Sequence, residues 1–123
     1  MATRSYIGKA LSNGNVKIIY CHFDGYLSGV GSRLKDYYTT TEQVDELLNG
    51  GDMSSLGDTI NETCYYAAKG EVETDVKAIE IGNWRVTFSD SWCEYFYLYN
   101  PATSKWYYAE HNSNPELIQL NDL

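Results

Sequence analysis

The chain has 123 residues, of which 43% are hydrophobic, and this is enough for the core of one ordinary domain. Its 17 acidic residues against nine lysines and arginines give a formal net charge of -8, so the chain lacks the basic stripe that a long nucleic acid requires. Its 12 tyrosines favour β-structure and binding surfaces over a helical bundle. We therefore expect one acidic domain over residues 1–123 that does not bind long nucleic acid.

The first half of the chain predicts a hairpin followed by two short helices. Residues 3–10 and 16–23 are apolar and β-branched, and Asn13-Gly14-Asn15 between them accommodates the positive φ angles of a tight turn. Glycines then break the strand, and apolar residues at helical spacing predict a helix over roughly residues 29–38. A second helix is predicted from the threonines at 39–41 to the glycines at 50–51, because threonine at the start, acids in the first turn and glycine past the end are matched helix signals.

The second half of the chain predicts mainly strands. We expect a connection over residues 52–62, a strand over 64–68, an acidic loop after Gly70 that ends in a weak strand, and a strand over 84–88, where the sequence WRVTF alternates. Two aromatic runs, 94–100 and 105–110, flank a four-residue turn and predict a second hairpin. The tail over residues 112–123 is expected to dock as a last turn or an edge strand.

The order of these elements indicates the fold class. Strands cluster at the two ends of the chain and the helices lie between them. We therefore expect an α+β domain with an antiparallel sheet of about five to seven strands, formed around the N-terminal and C-terminal hairpins, with both helices packed on one face.

The three cysteines, Cys21, Cys64 and Cys93, are widely separated and fit neither a disulfide framework nor a metal-binding spacing. We expect free thiols in a reducing cytoplasm. The N-terminal residues form no apolar signal segment, and no run reaches the roughly 18 apolar residues of a membrane span. We expect no metal, no cofactor and no membrane association.

The densest polar cluster runs from Tyr20 to Tyr26, where a strand opens into a glycine-rich turn. Alternation along the strand places His22 and Asp24 on one face, where the carboxylate would orient the imidazole as general-base catalysis requires. A structural alternative is that Asp24 caps the following turn while His22 bonds to a neighbouring strand. A third possibility is that both residues bind a ligand. We rank the structural role first, binding second and catalysis third.

Arginine is rare, since the chain has only Arg4, Arg33 and Arg85. Each is a planar donor for a phosphate or a carboxylate. Arg33 follows two glycines in the sequence GVGSR, which has neither of the common phosphate-loop spacings and is a weak signal. The structural alternatives are a surface ion pair of Arg33 with Asp36 or Glu46, and packing of the Arg85 stem across an aromatic ring such as that of the preceding tryptophan.

Three tyrosines, Tyr95, Tyr97 and Tyr99, share one face of the predicted strand over 94–100, while Phe96 and Leu98 share the other. The second face is the natural core side, so we expect the tyrosines to form an exposed ladder. An apolar patch of about 300–600 Å² is the size expected of a functional surface. The ladder is therefore predicted to be a subunit interface of a homo-oligomer, with stacking of a nucleobase as the alternative.

Several sequence elements together carry a resemblance to a known family. They are Thr3-Arg4-Ser5, Ile19 to Tyr26, Gly31 to Tyr38, Val44 to Gly57, Cys64 to Glu71, and Glu94 to Tyr108. The chain resembles a widespread group of small tailed-phage and prophage proteins with YCHxDGY and GDxSSLG motifs, and the match covers most of its length. Family members often have arginines where this chain has Ala67-Ala68-Lys69-Gly70-Glu71, so an arginine-based site is reduced here to Lys69.

The resemblance implies a phage accessory protein in the host bacterial cytoplasm and, by analogy with other small phage proteins, one that counters host immunity. We expect it to sequester a small nucleotide-type signalling molecule without cleaving it. The residues expected to bind this ligand are His22, Asp24, Tyr26, Arg33, Tyr66, Lys69 and Arg85. One alternative is an acidic inhibitor of a host defence protein, which would engage a basic surface through the segment from Glu71 to Glu80. A nucleotide-processing enzyme that uses His22 is the third hypothesis.

Overall fold

A computed structural model describes residues 2–67, 77–112 and 114–120, and within these residues eight strands and three short α-helices form an α+β fold. The strands are β1 (Ser5–Ala10), β2 (Val16–Cys21), β3 (Met53–Ser55), β4 (Cys64–Tyr65), β5 (Ile79–Ile81), β6 (Tyr95–Asn100), β7 (Lys105–Glu110) and β8 (Ile118–Gln119). The helices are α1 (Ser32–Tyr37), α2 (Thr41–Asn49) and α3 (Trp84–Ser89), and a π-helical turn at Leu27–Gly31 leads into α1. The predicted fold class is confirmed.

The sheet is mixed, whereas the sequence predicted an antiparallel one. Its order is β4-β3-β2-β1-β6-β7-β8, and β5 also pairs with β2. The two predicted hairpins, β1–β2 and β6–β7, are antiparallel as expected. However, β1 runs parallel to β6 and β2 runs parallel to β3. A parallel pair needs a long crossover connection, and α1 and α2 supply it between β2 and β3.

One face of the sheet packs against α1 and α2, as predicted. The α2 helix begins at a capping box, in which Thr40 and Gln43 satisfy each other's backbone N–H groups. Its apolar side is fully buried. The residues of this first core include Ile7, Ile19, Leu34, Val44, Leu47, Leu48, Tyr97, Tyr99 and Trp106. The second helix predicted from the sequence therefore forms where expected.

The strand predicted over 84–88 is wrong, because this segment forms α3 on the opposite face of the sheet. The Asn83 side chain accepts a hydrogen bond from the Val86 N–H and caps the helix. Trp84 and Phe88 lie four residues apart on one helix face, and both rings contact Phe96, at centroid distances of 4.7 and 5.6 Å. The α3 helix thereby closes a second core, which the sequence did not indicate.

The predicted tyrosine ladder is not exposed, because both faces of β6 are covered. Tyr97 and Tyr99 are fully buried and Tyr95 is half-buried. The Tyr97 hydroxyl donates to the Gly25 carbonyl at 2.6 Å, so even the polar end of this ring has a partner in the core. A central strand that is covered on both faces buries the side chains that point to either face, so the tyrosines are buried as well as the residues that alternate with them. The exposure expected of Tyr95, Tyr97 and Tyr99 is therefore wrong, and the predicted interface and homo-oligomer lose the surface on which they were based.

Three smaller predictions concern the edges of the fold. The weak strand after the acidic loop is β5, and the tail docks as the edge strand β8. The connection expected over 52–62 contains β3, which the sequence did not indicate.

All three cysteines are free thiols, as expected. Among the helices described here, none combines the length and the apolar character needed to cross a bilayer.

Candidate functional site

His22 and Asp24 do not form the pair that catalysis would need. The β2 strand ends at Cys21, and Asp24 has a φ angle of 60°, so strand alternation does not continue to these positions. His22 Nδ1 shares a hydrogen bond of 2.7 Å with the Tyr20 hydroxyl, whereas Asp24 accepts one from the Tyr26 hydroxyl at 3.1 Å. The Asp24 carboxylate raises the pKa of Tyr26 through this bond. It does not orient the imidazole.

Arg33 and Arg85 are both engaged within the protein and lie on different faces of the sheet. Arg33 Nε pairs with Asp58 at 3.3 Å, and neither of the carboxylates expected from the sequence is its partner. The Arg85 guanidinium lies 4.5 Å from the centre of the Trp84 ring, which confirms the packing alternative, and its Nε donates to the Pro115 carbonyl at 3.2 Å. The six predicted ligand-binding residues that the structure describes therefore do not all converge on one site.

Two further predictions concern Tyr66 and the segment that follows it. Tyr66 is half-buried and its backbone N–H donates to the Asp52 carbonyl at 3.2 Å. Lys69 and most of the acidic segment lie outside the described residues. The last acid of that segment, Glu80, accepts hydrogen bonds from Asn15 at 2.6 Å and Asn13 at 3.2 Å, and these bonds lower its pKa. Glu80 is therefore held at the turn of the N-terminal hairpin.

A cleft that the sequence did not predict lies on the face of the sheet that carries α3. This helix packs against β6, and the partly buried rings of Tyr6 and Tyr20 form an open floor beside it. The cleft has a volume of about 560 Å³ and is lined by Arg4, Tyr6, Tyr20, Ser91, Trp92 and Cys93. A smaller hollow of about 190 Å³ shares Tyr6 and Tyr20 with it and reaches Asp52, Lys77 and Ile79.

The pairing of β2 explains why the sheet has a gap beside Tyr20. The β3 strand pairs with β2 only at Cys21, and β5 pairs with it only from Val16 to Ile18. Tyr20 therefore faces a gap between two partner strands. The Asp52 carboxylate fills the gap by accepting the Tyr20 N–H at 2.8 Å, which satisfies a backbone donor that would otherwise lack a partner.

Trp92 stands at the cleft with 86% of its surface exposed. The turn that carries it is well fixed, because Ser91 Oγ donates to the Phe88 carbonyl at 2.6 Å and accepts from the Cys93 N–H at 3.1 Å. On its other side the Glu94 N–H donates to the Arg4 carbonyl at 2.8 Å. Fully burying a large apolar side chain contributes roughly 1.5–3 kcal/mol, so an indole held in solvent on a fixed turn is a ready stacking surface.

Arg4 supplies the positive charge of the cleft lining, while the nearby Asp52 carboxylate acts in the opposite sense and adds to burial in raising the pKa of Tyr6 and of Cys93. Burial raises the pKa of Tyr20 to about 12, although the Arg4 guanidinium beside its hydroxyl acts in the opposite direction. Burial also raises the pKa of the Cys93 thiol to about 12, so this thiol is protonated and unreactive near neutral pH. Among the described residues, no cluster of three His, Cys, Asp or Glu side chains could hold a metal ion. The guanidinium of Arg4 is thus the charged group of the larger cleft.

Sequence reasoning missed Arg4 and Trp92 as site residues. The available signal for Arg4 was its rarity, since it is one of three arginines in the chain. Trp92 gave no comparable signal, because an alternating pattern does not reveal whether a turn residue is exposed. The two residues line one cleft because the backbone after α3 is hydrogen-bonded to the backbone that precedes β1.

Comparison with known proteins identifies no relative of this chain. It matches no protein-family model, no curated protein and no solved structure. The resemblance to small tailed-phage proteins therefore remains a prediction.

Proposed function

We propose that this protein binds a small anionic ligand with an aromatic ring, of the nucleotide type, in the cleft of Arg4 and Trp92, and that it holds the ligand without cleaving it. The observation that carries the proposal is an arginine and an exposed indole on one concave surface. A guanidinium matches the geometry of phosphate and carboxylate oxygens, and indole and phenol rings stack on nucleobases.

The volume of the cleft and the net charge of the protein support a small ligand. Sites for small molecules typically enclose about 300–1,000 Å³, and the cleft of about 560 Å³ lies within that range. The net charge of -8 opposes the approach of a polyanion. A ligand with few phosphates is repelled less by this net charge, and the Arg4 guanidinium attracts it locally.

The chemistry of the lining residues supports binding rather than turnover. The Ser91 hydroxyl is engaged with the backbone of its own turn, and the Cys93 thiol is protonated. A nucleophile needs a base within hydrogen-bonding distance, and neither of these groups has one among its described partners. His22 bonds to Tyr20 and is not among the residues that line the cleft.

The resemblance to small tailed-phage and prophage proteins supports a biological setting for this binding. In that setting the protein is a phage accessory protein that withdraws a nucleotide-type immune signal in the host bacterial cytoplasm. Such a role needs tight binding and no turnover. A cleft with a cation, stacking surfaces and no activated nucleophile is compatible with it.

A ligand screen tests the proposal. We expect a rise in the melting temperature with at least one member of a panel of nucleoside monophosphates, cyclic mononucleotides and cyclic dinucleotides, because a ligand at 100 times its Kd stabilises the native state by about 2.7 kcal/mol. The bound ligand should be recovered intact, by chromatography, after heat denaturation. Recovery of a cleaved product would favour the enzyme hypothesis instead.

Two substitutions and one matched control test whether the ligand binds in the cleft. Arg4→Gln and Trp92→Ala should each remove the thermal shift. Arg85→Gln changes an exposed arginine that contacts Trp84 outside the cleft, and it should leave the shift unchanged. The absence of any shift across the panel, or equal losses in the Arg4 and Arg85 variants, would contradict the proposal.

A further inference from the structure

A chain of three side chains connects the cleft to a histidine outside it. Tyr20 lines the cleft, and its hydroxyl lies beside the Arg4 guanidinium. The same hydroxyl shares the hydrogen bond of 2.7 Å with His22 Nδ1. His22 therefore reaches the candidate anion site only through Tyr20.

His22 is held in this position from two sides. The Phe23 ring meets its imidazole edge to face, with a centroid distance of 4.5 Å. The His22 backbone N–H donates to the Met53 carbonyl at 3.1 Å, which extends the pairing of β2 with β3 beyond the end of the strand. The ring is thus fixed where Nδ1 meets the Tyr20 hydroxyl.

We infer that the Arg4 guanidinium and the Tyr20 hydroxyl together receive the anionic group of the ligand, and that His22 is the positioning residue that directs this hydroxyl toward the anion. The inference rests on the proposed function and names the chemistry of the site. One guanidinium and one hydroxyl match a single anionic group, such as a monophosphate or a phosphodiester.

The reason lies in the single proton that a phenol can donate. When His22 Nδ1 accepts that proton, the Tyr20 oxygen offers an incoming anion only lone pairs, which repel it. When the ring proton of His22 is on Nδ1, the N–H donates to the Tyr20 oxygen and the phenol O–H is left to donate to the anion. The anion therefore selects the second tautomer.

The test compares a ligand with its uncharged counterpart. Affinities of AMP and adenosine, and of GMP and guanosine, are measured by calorimetry for the wild type, Tyr20→Phe, His22→Ala and the double variant. Losing a hydrogen bond to a charged group weakens binding by roughly tenfold or more, so each single change should weaken the monophosphates by that factor and leave the nucleosides unchanged. The double variant should bind no more weakly than Tyr20→Phe alone, because both changes remove one interaction.

Two further measurements separate positioning from support of the fold. His22→Asn retains a side-chain N–H close to the position of Nδ1 and should restore much of the lost affinity. In the wild type, ¹⁵N spectra of His22 should show the ring proton moving to Nδ1 when AMP is added. His111→Ala is the matched control, because this second histidine bonds to the Ser89 carbonyl at 2.9 Å and does not line the cleft.

Each contrary outcome has a distinct meaning. Equal losses of AMP and adenosine on His22→Ala, or additive losses in the double variant, would overturn the inference and leave the proposed function standing. If the wild type binds none of the four compounds and no other member of the panel, the proposed function fails, and the inference fails with it.

Discussion

Ser5 carries a buried side-chain oxygen that has no hydrogen-bond partner, and it is the one such atom among the residues that the structure describes. The residue is fully buried on β1, with Gly25 packed against its side chain. A buried polar group without a partner costs about 1–3 kcal/mol. We therefore expect Ser5→Ala to raise the free energy of unfolding by about 1 kcal/mol, as measured by urea denaturation.

A second buried serine provides the control for this prediction. Ser54 Oγ donates to the Cys64 carbonyl at 3.2 Å. Ser54→Ala should therefore lower the free energy of unfolding by about 1 kcal/mol, the opposite sign. A loss of stability in both variants would show that the Ser5 hydroxyl has a partner in solution.

At the scale of single residues, the sequence indicates which side chains could bind or react better than it indicates where they lie in the fold. His22 and Asp24 are near neighbours in the chain, yet they bond to different tyrosines because the backbone turns at Asp24. Spacing predicts a shared face only within one regular element. Arg4 and Trp92 lie 88 positions apart, on the residue before β1 and on a turn after α3, and no local pattern brings them together.

At the scale of elements, the predictions that succeeded rested on more than one signal. The α2 helix has its capping box at Thr40 as well as an apolar face, and the first hairpin has a turn in which Gly14 adopts a φ angle of 88°. The α3 segment had only alternation over five residues. Trp84 and Phe88 share a face in a strand and also in a helix, so the pattern alone does not distinguish the two.

The cap at Asn83 stabilises the start of α3, and its contribution can be tested. Asn83→Ala removes the acceptor for the Val86 N–H, and we expect it to lower the free energy of unfolding by about 1 kcal/mol. Asn49→Ala, at the exposed end of α2, should change it by less than about 0.5 kcal/mol. Equal effects of the two changes in thermal or urea denaturation would mean that α3 does not depend on this cap.

The π-helical turn before α1 makes a second prediction at this scale. A Cβ atom at Gly29 would lie 2.3 Å from the Asp24 carbonyl oxygen, which accepts the Val30 N–H at 2.8 Å and cannot move without breaking that bond. Gly29→Ala should therefore cost about 2–3 kcal/mol. At Gly82 the nearest atom is 3.7 Å away, so Gly82→Ala should leave the melting temperature almost unchanged. A tolerated alanine at position 29 would contradict this description of the turn.

At the scale of the whole molecule, the tyrosines are structural more often than the sequence suggested. Several of their hydroxyls donate to backbone carbonyls of other elements, as Tyr38 does to Gly57, Tyr65 to Leu47 and Tyr97 to Gly25. A tyrosine can therefore fill a core and still satisfy its polar end. This is why the prediction of an exposed tyrosine ladder on β6 failed, since it treated tyrosine as a surface residue.

The burial of these groups predicts how the fold responds to alkaline pH. Burial raises the pKa of Tyr97 and Tyr65 well above the usual value for tyrosine, and it raises that of Cys21 to about 12. In the unfolded chain tyrosine ionises near pH 10 and cysteine near pH 9. The folded state holds these protons more tightly, so their contribution to stability is complete below about pH 9 and is lost as the pH rises toward the folded pKa values.

We therefore expect cooperative unfolding between about pH 9 and pH 12, followed by circular dichroism and by phenolate absorbance in one titration. The buried tyrosines should ionise together with the loss of ellipticity, because they can reach hydroxide only when the chain unfolds. Tyr37→Phe, which changes a ring that is 49% exposed, should leave the midpoint unchanged. Ionisation of all 12 tyrosines near pH 10 while the ellipticity remains native would show that the tyrosine hydroxyls are not shielded in the core.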